Sequence, residues 1–176
     1  MSREWIQDIL KPRADANTNQ GTFHPQNPQK YKGDLNKIYF RSGWELKFYQ
    51  MCDTRPEIIE YAVECVKVPY ISPIDHRAHE YFIDVYLEMR LSDGKTQKWL
   101  IEIKPEKYTK IPKEPKKKTA KSMKNYKNHV ATSLVNIEKF KSAKYYSKQM
   151  GAIFGVVSIN KKTQNFQIVE WDEADI

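Results

Sequence analysis

Two neighbouring runs, Tyr81-Phe82-Ile83-Asp84-Val85-Tyr86-Leu87 and Trp99-Leu100-Ile101-Glu102-Ile103-Lys104, constrain this chain more than any other feature. Both are apolar and β-prone, and Ser92-Asp93-Gly94-Lys95 between them has the composition of a hairpin turn, so the two strands are expected to pair antiparallel. Side chains alternate between the faces of a strand. Trp99, Ile101 and Ile103 therefore make the expected core face of one strand, with Leu100, Glu102 and Lys104 opposite. Ile83, Val85 and Leu87 make the core face of the other, with Phe82, Asp84 and Tyr86 opposite. Paired strands lie ~4.8 Å apart, so Asp84 and Glu102 are placed to point into one site.

The rest of the chain builds around that hairpin. Ser2 to Leu10 has Trp5, Ile6, Ile9 and Leu10 at the spacing of a short amphipathic helix. Lys11 to Lys37, with Pro12, Pro25 and Pro28, reads as an extended arm that must lie on its own domain or on a partner. We divide the chain into this N-terminal segment, 1–37, and a folded domain, 38–176. Ser42 is an N-cap for a helix from Arg41 to Thr54, which Arg55-Pro56 ends. Strands are expected over Tyr61–Val68, Glu80–Arg90 and Gln97–Lys104. A proline-broken lysine loop follows, then a helix from about Ala131 to Met150 with Gly151 as C-cap. Ala152–Ile159 reads as a strand buried on both faces, and Asn165–Trp171 as the last strand. The order α-β-β-β-α-β-β implies an α/β fold, a mixed sheet flanked by helices.

A chain of 176 residues suits one domain with a real core. Cys52 and Cys65 lie in no zinc spacing and read as core-filling thiols in a reducing compartment, with a single disulfide between them left open. No apolar run approaches a membrane span, and Glu4 and Asp8 argue against a signal peptide, so a soluble intracellular protein is expected. The net charge of +8 is unevenly spread. Lys104 to Lys127 holds ten lysines against Glu106 and Glu114, so the remainder of the chain is neutral. Such a block either attracts a polyanion such as nucleic acid or is a solvated loop without a partner.

Two hard carboxylates at this separation suit Mg2+, with Mn2+ as an alternative, and such an ion promotes water attack on a phosphodiester. The Ile103 main-chain carbonyl is a candidate extra ligand, and Lys104 is placed to hold the water or to stabilise charge on phosphate. Each residue has a plainer reading. Glu-x-Lys on a strand is often a solvent-facing salt bridge, although Asp84 in an apolar strand costs stability unless paired or metal-bound. Glu45 fits a capping box with Ser42, or else a further, water-mediated metal contact. Asn136, Lys139, Phe140 and Ala143 share a face of the late helix; Asn136 and Lys139 either contact a phosphate or form a polar shoulder. His24, His76, His79 and His129 show no zinc spacing. No phosphate-binding glycine loop and no Gly-x-Ser-x-Gly elbow occurs, which disfavours NTP hydrolysis and acyl transfer.

Taken together, Tyr39-Phe40-Arg41-Ser42-Gly43-Trp44-Glu45, Tyr81-Phe82-Ile83-Asp84, Ile101-Glu102-Ile103-Lys104 and Asn136 to Ala143 resemble the PD-(D/E)XK nuclease superfamily. More narrowly they resemble the head completion nucleases of T-even-type tailed phages. The arm from Phe23 to Asp34 and the stretch Val68-Pro69-Tyr70-Ile71-Ser72-Pro73 are similar to that family too. The resemblance covers roughly Gly21 to Ile159. It implies a restriction-endonuclease-like core, a catalytic set of Glu45, Asp84, Glu102 and Lys104, and Mg2+ as cofactor. It further implies double-stranded DNA as substrate, capsid portal or neck proteins as partners, and action in the host cytoplasm or the virion during assembly. Ile83 stands where the superfamily often has Pro. On this reading Lys107, Lys110, Lys113, Lys116, Lys117, Lys118, Lys121 and Lys124, with Asn136 and Lys139, contact DNA. Three alternatives stay open: a structural assembly factor whose cutting is dispensable, the end-cleaving subunit of a heteromeric transposase, and a nonspecific DNA-binding module.

Overall fold

The structure, a computed structural model, describes residues 19–160, 162–163 and 165–171. The Ser2–Leu10 helix and the first part of the arm lie outside the described residues. Strands are β1 (Gly21–Thr22), β2 (Tyr39–Phe40), β3 (Ile58–Val63), β4 (Lys67–Ile71), β5 (Ala78–Phe82), β6 (Val85–Arg90), β7 (Thr96–Ile103), β8 (Ala152–Ile159) and β9 (Phe166–Ile168). Helix α1 spans Gly43–Thr54 and α2 spans Ala120–Gln149. Short 3-10 turns occupy Pro28–Lys30 and Glu106–Tyr108.

The apolar runs that dominate the sequence form the centre of a five-stranded sheet, ordered β3-β6-β7-β8-β9. Strands β7 and β8 are parallel and the other neighbours antiparallel. A parallel pair needs a long crossover, and α2 supplies it. Both sheet faces are covered, so both are core. On one side Phe48, Tyr49 and Cys52 of α1 pack on Val85, Leu87, Ile101 and Ile103. On the other, Val135 and Ala143 of α2 pack with Leu100, Ile83 and Ala152. The expected single core face is thus corrected: Leu100 is as buried as Ile101, and Glu102 and Lys104 bring charge into the α2 side.

Two expected strands are each broken in two. The run Tyr61–Val68 divides into β3 and β4 at Glu64, whose φ of 47° is left-handed. The run Glu80–Arg90 divides into β5 and β6 at Ile83-Asp84. The breaks face each other: Glu64 N–H donates to the Asp84 carbonyl (3.1 Å), and Ile83 N–H donates to the Val66 carbonyl (2.8 Å). Beyond them β4 and β5 form a separate antiparallel ribbon, which leans on α2 through Val68, Tyr70 and Tyr81. The break also moves Ile83 off the face of Val85 and Leu87.

Helix α2 begins eleven residues before the expected Ala131. Thr119 caps it, with its hydroxyl accepting from Ser122 N–H (3.1 Å) while Ser122 Oγ accepts from Thr119 N–H (2.9 Å). Much of the expected lysine loop is therefore the first turns of a helix. Gly94 and Gly151 take positive φ, 83° and 65°, in the hairpin turn and after α2, where a left-handed residue is required.

The described part of the arm lies on its own domain. Phe23, Tyr31 and Ile38 enter the α1-side core. Phe23 meets Tyr49 edge-on (6.0 Å) and Tyr31 meets Tyr61 (5.3 Å). Lys30 donates to the Asp53 and Arg55 carbonyls (2.9 and 2.7 Å), a favourable cation at the C-terminal end of α1. No helix among the described residues is long and apolar enough to cross a membrane.

Candidate active site

Asp84 is aimed by the break between β5 and β6. The β6–β7 register pairs Val85 with Ile101, so one more step would set Asp84 opposite Glu102. Instead of a main-chain ladder bond at that step, Asp84 Oδ2 accepts from Ile103 N–H at 2.7 Å. The side chain therefore braces the end of β7 while its other oxygen stays available. The Ile103 carbonyl belongs to the same braced segment. Glu102 lies near enough for its charge to act on Asp84.

Glu102 is only 3% exposed. Its Oε1 pairs with Lys104 Nζ at 3.0 Å, and its Oε2 is buried with no hydrogen-bond partner. An unpartnered buried carboxylate oxygen is costly. Burial, and then the Glu102 charge, push the Asp84 carboxyl well above the ordinary aspartate range. For Lys104, burial acts downward, but Glu102 and then Asp84 outweigh it and hold the ammonium above the ordinary lysine value. Lys104 is thus a persistent cation between two acids.

The donor set fits a hard dication. Glu102 Oε2 and the second Asp84 oxygen are free acceptors on neighbouring strands. Among the described residues no group of three or more His, Cys, Asp or Glu side chains is placed to hold a metal. The protein share of a site here is two carboxylates, which suits Mg2+, an ion that keeps several of its waters.

Glu45 has both plainer and functional features. Ser42 Oγ accepts from Glu45 N–H (3.2 Å), as the capping box requires. The returning carboxylate accepts from Arg41 N–H (2.7 Å) and from the Ser42 hydroxyl (2.9 Å), rather than from the Ser42 N–H expected from the sequence. Its charge nevertheless bears on Asp84 and Lys104, so the α1 N-terminus stands at the rim of the acid pair. Arg41 also forms an ion pair with Glu64, the residue at the facing break.

The basic segment is tied down at its root. Asn136 Nδ2 donates to the Tyr108 carbonyl (3.1 Å), His129 Nε2 to the Lys107 carbonyl (2.6 Å), and the buried Thr109 hydroxyl to the Glu106 carbonyl (2.9 Å). Asn136 is thereby placed as a buried tether of this loop. Lys107, Lys110, Lys113, Lys116, Lys117, Lys118, Lys121 and Lys124 are all exposed. Lys107 lies over the Tyr108 ring and Lys118 pairs with Glu114. Lys139 is apart from them, set between Tyr70 and Tyr81. His76 belongs to the turn before β5 and His79 lies in β5, with its Nε2 on Asp75 (2.9 Å). Sequence reasoning did not single out Tyr70, Tyr81, Arg41 or Glu64, because their contacts follow from the paired strand breaks rather than from any spacing.

The geometry has counterparts among known proteins. A family described as TnsA-like endonuclease N terminal matches residues 55–158, a stretch that contains Asp84, Glu102, Lys104 and Lys139 and leaves Glu45 outside. The head completion nuclease of Enterobacteria phage T4 is 34% identical over 138 residues, covering 78% of this chain and 89% of that protein. No solved structure matches.

Proposed function

This chain belongs to the TnsA-like endonuclease family and is a homologue of a phage head completion nuclease, and we propose from that premise that it is a Mg2+-dependent deoxyribonuclease. Its substrate is double-stranded DNA, cut at phosphodiester bonds after packaging, on a restriction-endonuclease-like core. Capsid portal or neck proteins are its assembly partners. The observation that carries this reading is the buried, unpartnered Oε2 of Glu102 beside Asp84. A structural role alone gives no reason to keep it.

Asp84 and Glu102 would hold the metal, with the Ile103 carbonyl and Glu45 as further contributors. When bound, the dication supplies Lewis-acid activation of water and neutralises phosphate charge. Lys104, kept in place by Glu102 Oε1 (3.0 Å), donates hydrogen bonds that orient the attacking water and stabilise the charge that grows on phosphate. Its held proton suits a donor better than a base. The exposed lysines from Lys107 to Lys124 contact the DNA backbone without reading bases, since lysine is a point charge for phosphate. The test is cleavage of duplex DNA by purified protein with Mg2+, set against Asp84→Asn and against excess chelator. Equal cutting by the wild type and Asp84→Asn removes Asp84 from the mechanism.

A further inference from the structure

Lys139 lies in the middle of α2, against the β4–β5 ribbon. Its ammonium is 4.9 Å from the centre of the Tyr81 ring and 5.4 Å from that of Tyr70. The two rings are buried and meet edge-to-face at 5.7 Å. Tyr81 holds Lys139 a second way, because its hydroxyl donates to the Lys139 main-chain carbonyl at 2.8 Å. Tyr81 also lies just ahead of the break that aims Asp84. One side chain thus links the strand that positions a catalytic acid to the helix and the ammonium of Lys139.

Burial lowers the Lys139 ammonium below the ordinary lysine value, and the charges of Glu102, Lys104 and Asp84 act on it to a smaller degree. Lys104 is already committed to Glu102, whereas Lys139 has no ion-pair partner at salt-bridge distance among the described residues. A ring face attracts a cation without using up its N–H donors. The three donors of Lys139 therefore stay free for oxygen atoms that arrive from outside.

We propose that Tyr70 and Tyr81 form an aromatic clamp that fixes the Lys139 ammonium on the α2 side of the sheet, the side on which Glu102 and Lys104 stand, as a preset contact for a nonbridging oxygen of the scissile phosphate. Both tyrosines are then positioning residues for cleavage. The proposal rests on the phosphodiester-hydrolase reading above. The clamp removes the ordering that a free lysine would undergo each time substrate binds. It also explains a half-buried cation held against two rings with no acid at ion-pair distance among the described residues.

The test combines three measurements: single-turnover cleavage of a duplex in Mg2+, binding of the same duplex in chelator as a function of salt, and thermal unfolding. Lys139→Met is expected to lower cleavage about 100-fold and to make the salt dependence of binding shallower by about 0.9 in log–log slope. Its melting temperature stays level or rises. Lys139→Arg recovers part of the lost cleavage. Tyr81→Leu lowers cleavage about tenfold in the wild type, and causes no further loss in Lys139→Met. If Tyr81→Leu does not fold, Tyr70→Leu takes its place in this cycle.

The clamp is overturned if Lys139→Met cuts like wild type, if it leaves the salt slope unchanged, or if the tyrosine loss is the same with and without Lys139. A marked fall in melting temperature of Lys139→Met with cleavage retained would make the cluster packing only. Should the wild type fail to cut DNA in Mg2+, the nuclease reading fails by itself, and the salt slope still decides the clamp.

Discussion

Two buried acids on opposite sides of this sheet are treated differently. Asp53, at the end of α1 and 1% exposed, accepts from Gln26 N–H (2.8 Å), from Asn27 N–H (3.1 Å) and from the Tyr61 hydroxyl (3.3 Å). The Asn27 carboxamide donates to its carbonyl as well (3.0 Å). Both carboxylate oxygens are occupied and the arm is fastened to the domain by them. Glu102 is buried almost as deeply, yet one oxygen has Lys104 and the other has nothing. A saturated buried acid is a structural fastening. An unsaturated one, with a second acid beside it, is what the proposed metal site requires.

Exchange of each acid for its amide should separate the two roles. For Glu102→Gln we expect cleavage to fall about 10³-fold while the unfolding free energy changes less than for Asp53→Asn, because relief of the repulsion with Asp84 offsets the lost charge opposite Lys104. For Asp53→Asn we expect the reverse: a loss of about 3 kcal/mol of stability, from several charge-assisted bonds weakened together, with cleavage per folded molecule unchanged at low temperature. Denaturant titration and single-turnover cleavage on the two proteins check this. Loss of activity from Asp53→Asn at full folding would erase the contrast.

The pH dependence sharpens it further. Asp84 has its carboxyl raised above the ordinary value of 3.8 by burial and by Glu102. Below that ordinary value both folded and unfolded chains hold the proton. Above it the unfolded chain releases the proton first, so the folded state becomes relatively less stable as pH rises through the raised value. In chelator, the melting temperature of the wild type should therefore fall relative to Asp84→Asn over that range. Added Mg2+ should oppose the fall increasingly as pH rises, since it binds the ionised pair. Parallel melting curves for the two proteins across the range would show that Asp84 is not under this stress.

What the sequence disclosed follows the range of the forces involved. Strands β7 and β8 and helix α1 were legible because local pattern and a Ser42 cap specify them. Asp84, Glu102 and Lys104 were legible because one hairpin brings them together. The break at Ile83-Asp84 was not, since Tyr81–Leu87 is β-prone throughout and the interruption is bonded to Glu64 and Val66 in the facing break between β3 and β4. Everything that depends on the tilted ribbon was hidden with it, including the Tyr81–Lys139 contact. The early start of α2 had a visible signal, Thr119 with Ser122, which the density of lysines obscured. Like charges near a helix N-terminus oppose the helix dipole, so a loop was the natural reading of Lys116 to Lys127.

The lysines offer a smaller effect on the same contrast, because they act at a distance from both acids. Replacing Lys116, Lys117 and Lys118 with alanine should leave stability within about 0.5 kcal/mol. It should reduce the log–log salt slope of duplex binding by about 2.7 if all three reach phosphates, and cleavage at low salt should change little. A slope equal to that of the wild type would make this stretch a solvated face.

Glu45 gives the finest discrimination, because it resembles Asp53 in its bonds and Glu102 in its surroundings. Its carboxylate is used twice, by Arg41 N–H and by the Ser42 hydroxyl, so by the saturation argument it is a cap. Its charge also falls on Asp84 and Lys104, so by the field argument it belongs to the site. Glu45→Gln keeps an acceptor for the cap and removes the charge. If Glu45 assists the metal through water, this variant should hold its stability within about 0.5 kcal/mol and bind Mn2+ several-fold more weakly, with cleavage reduced in proportion and recovered at higher metal. Glu45→Ala should lose about 1 kcal/mol of stability in addition. Unchanged Mn2+ affinity in Glu45→Gln, measured by calorimetry, would assign the residue to the cap alone and leave the acid pair as the complete side-chain ligand set.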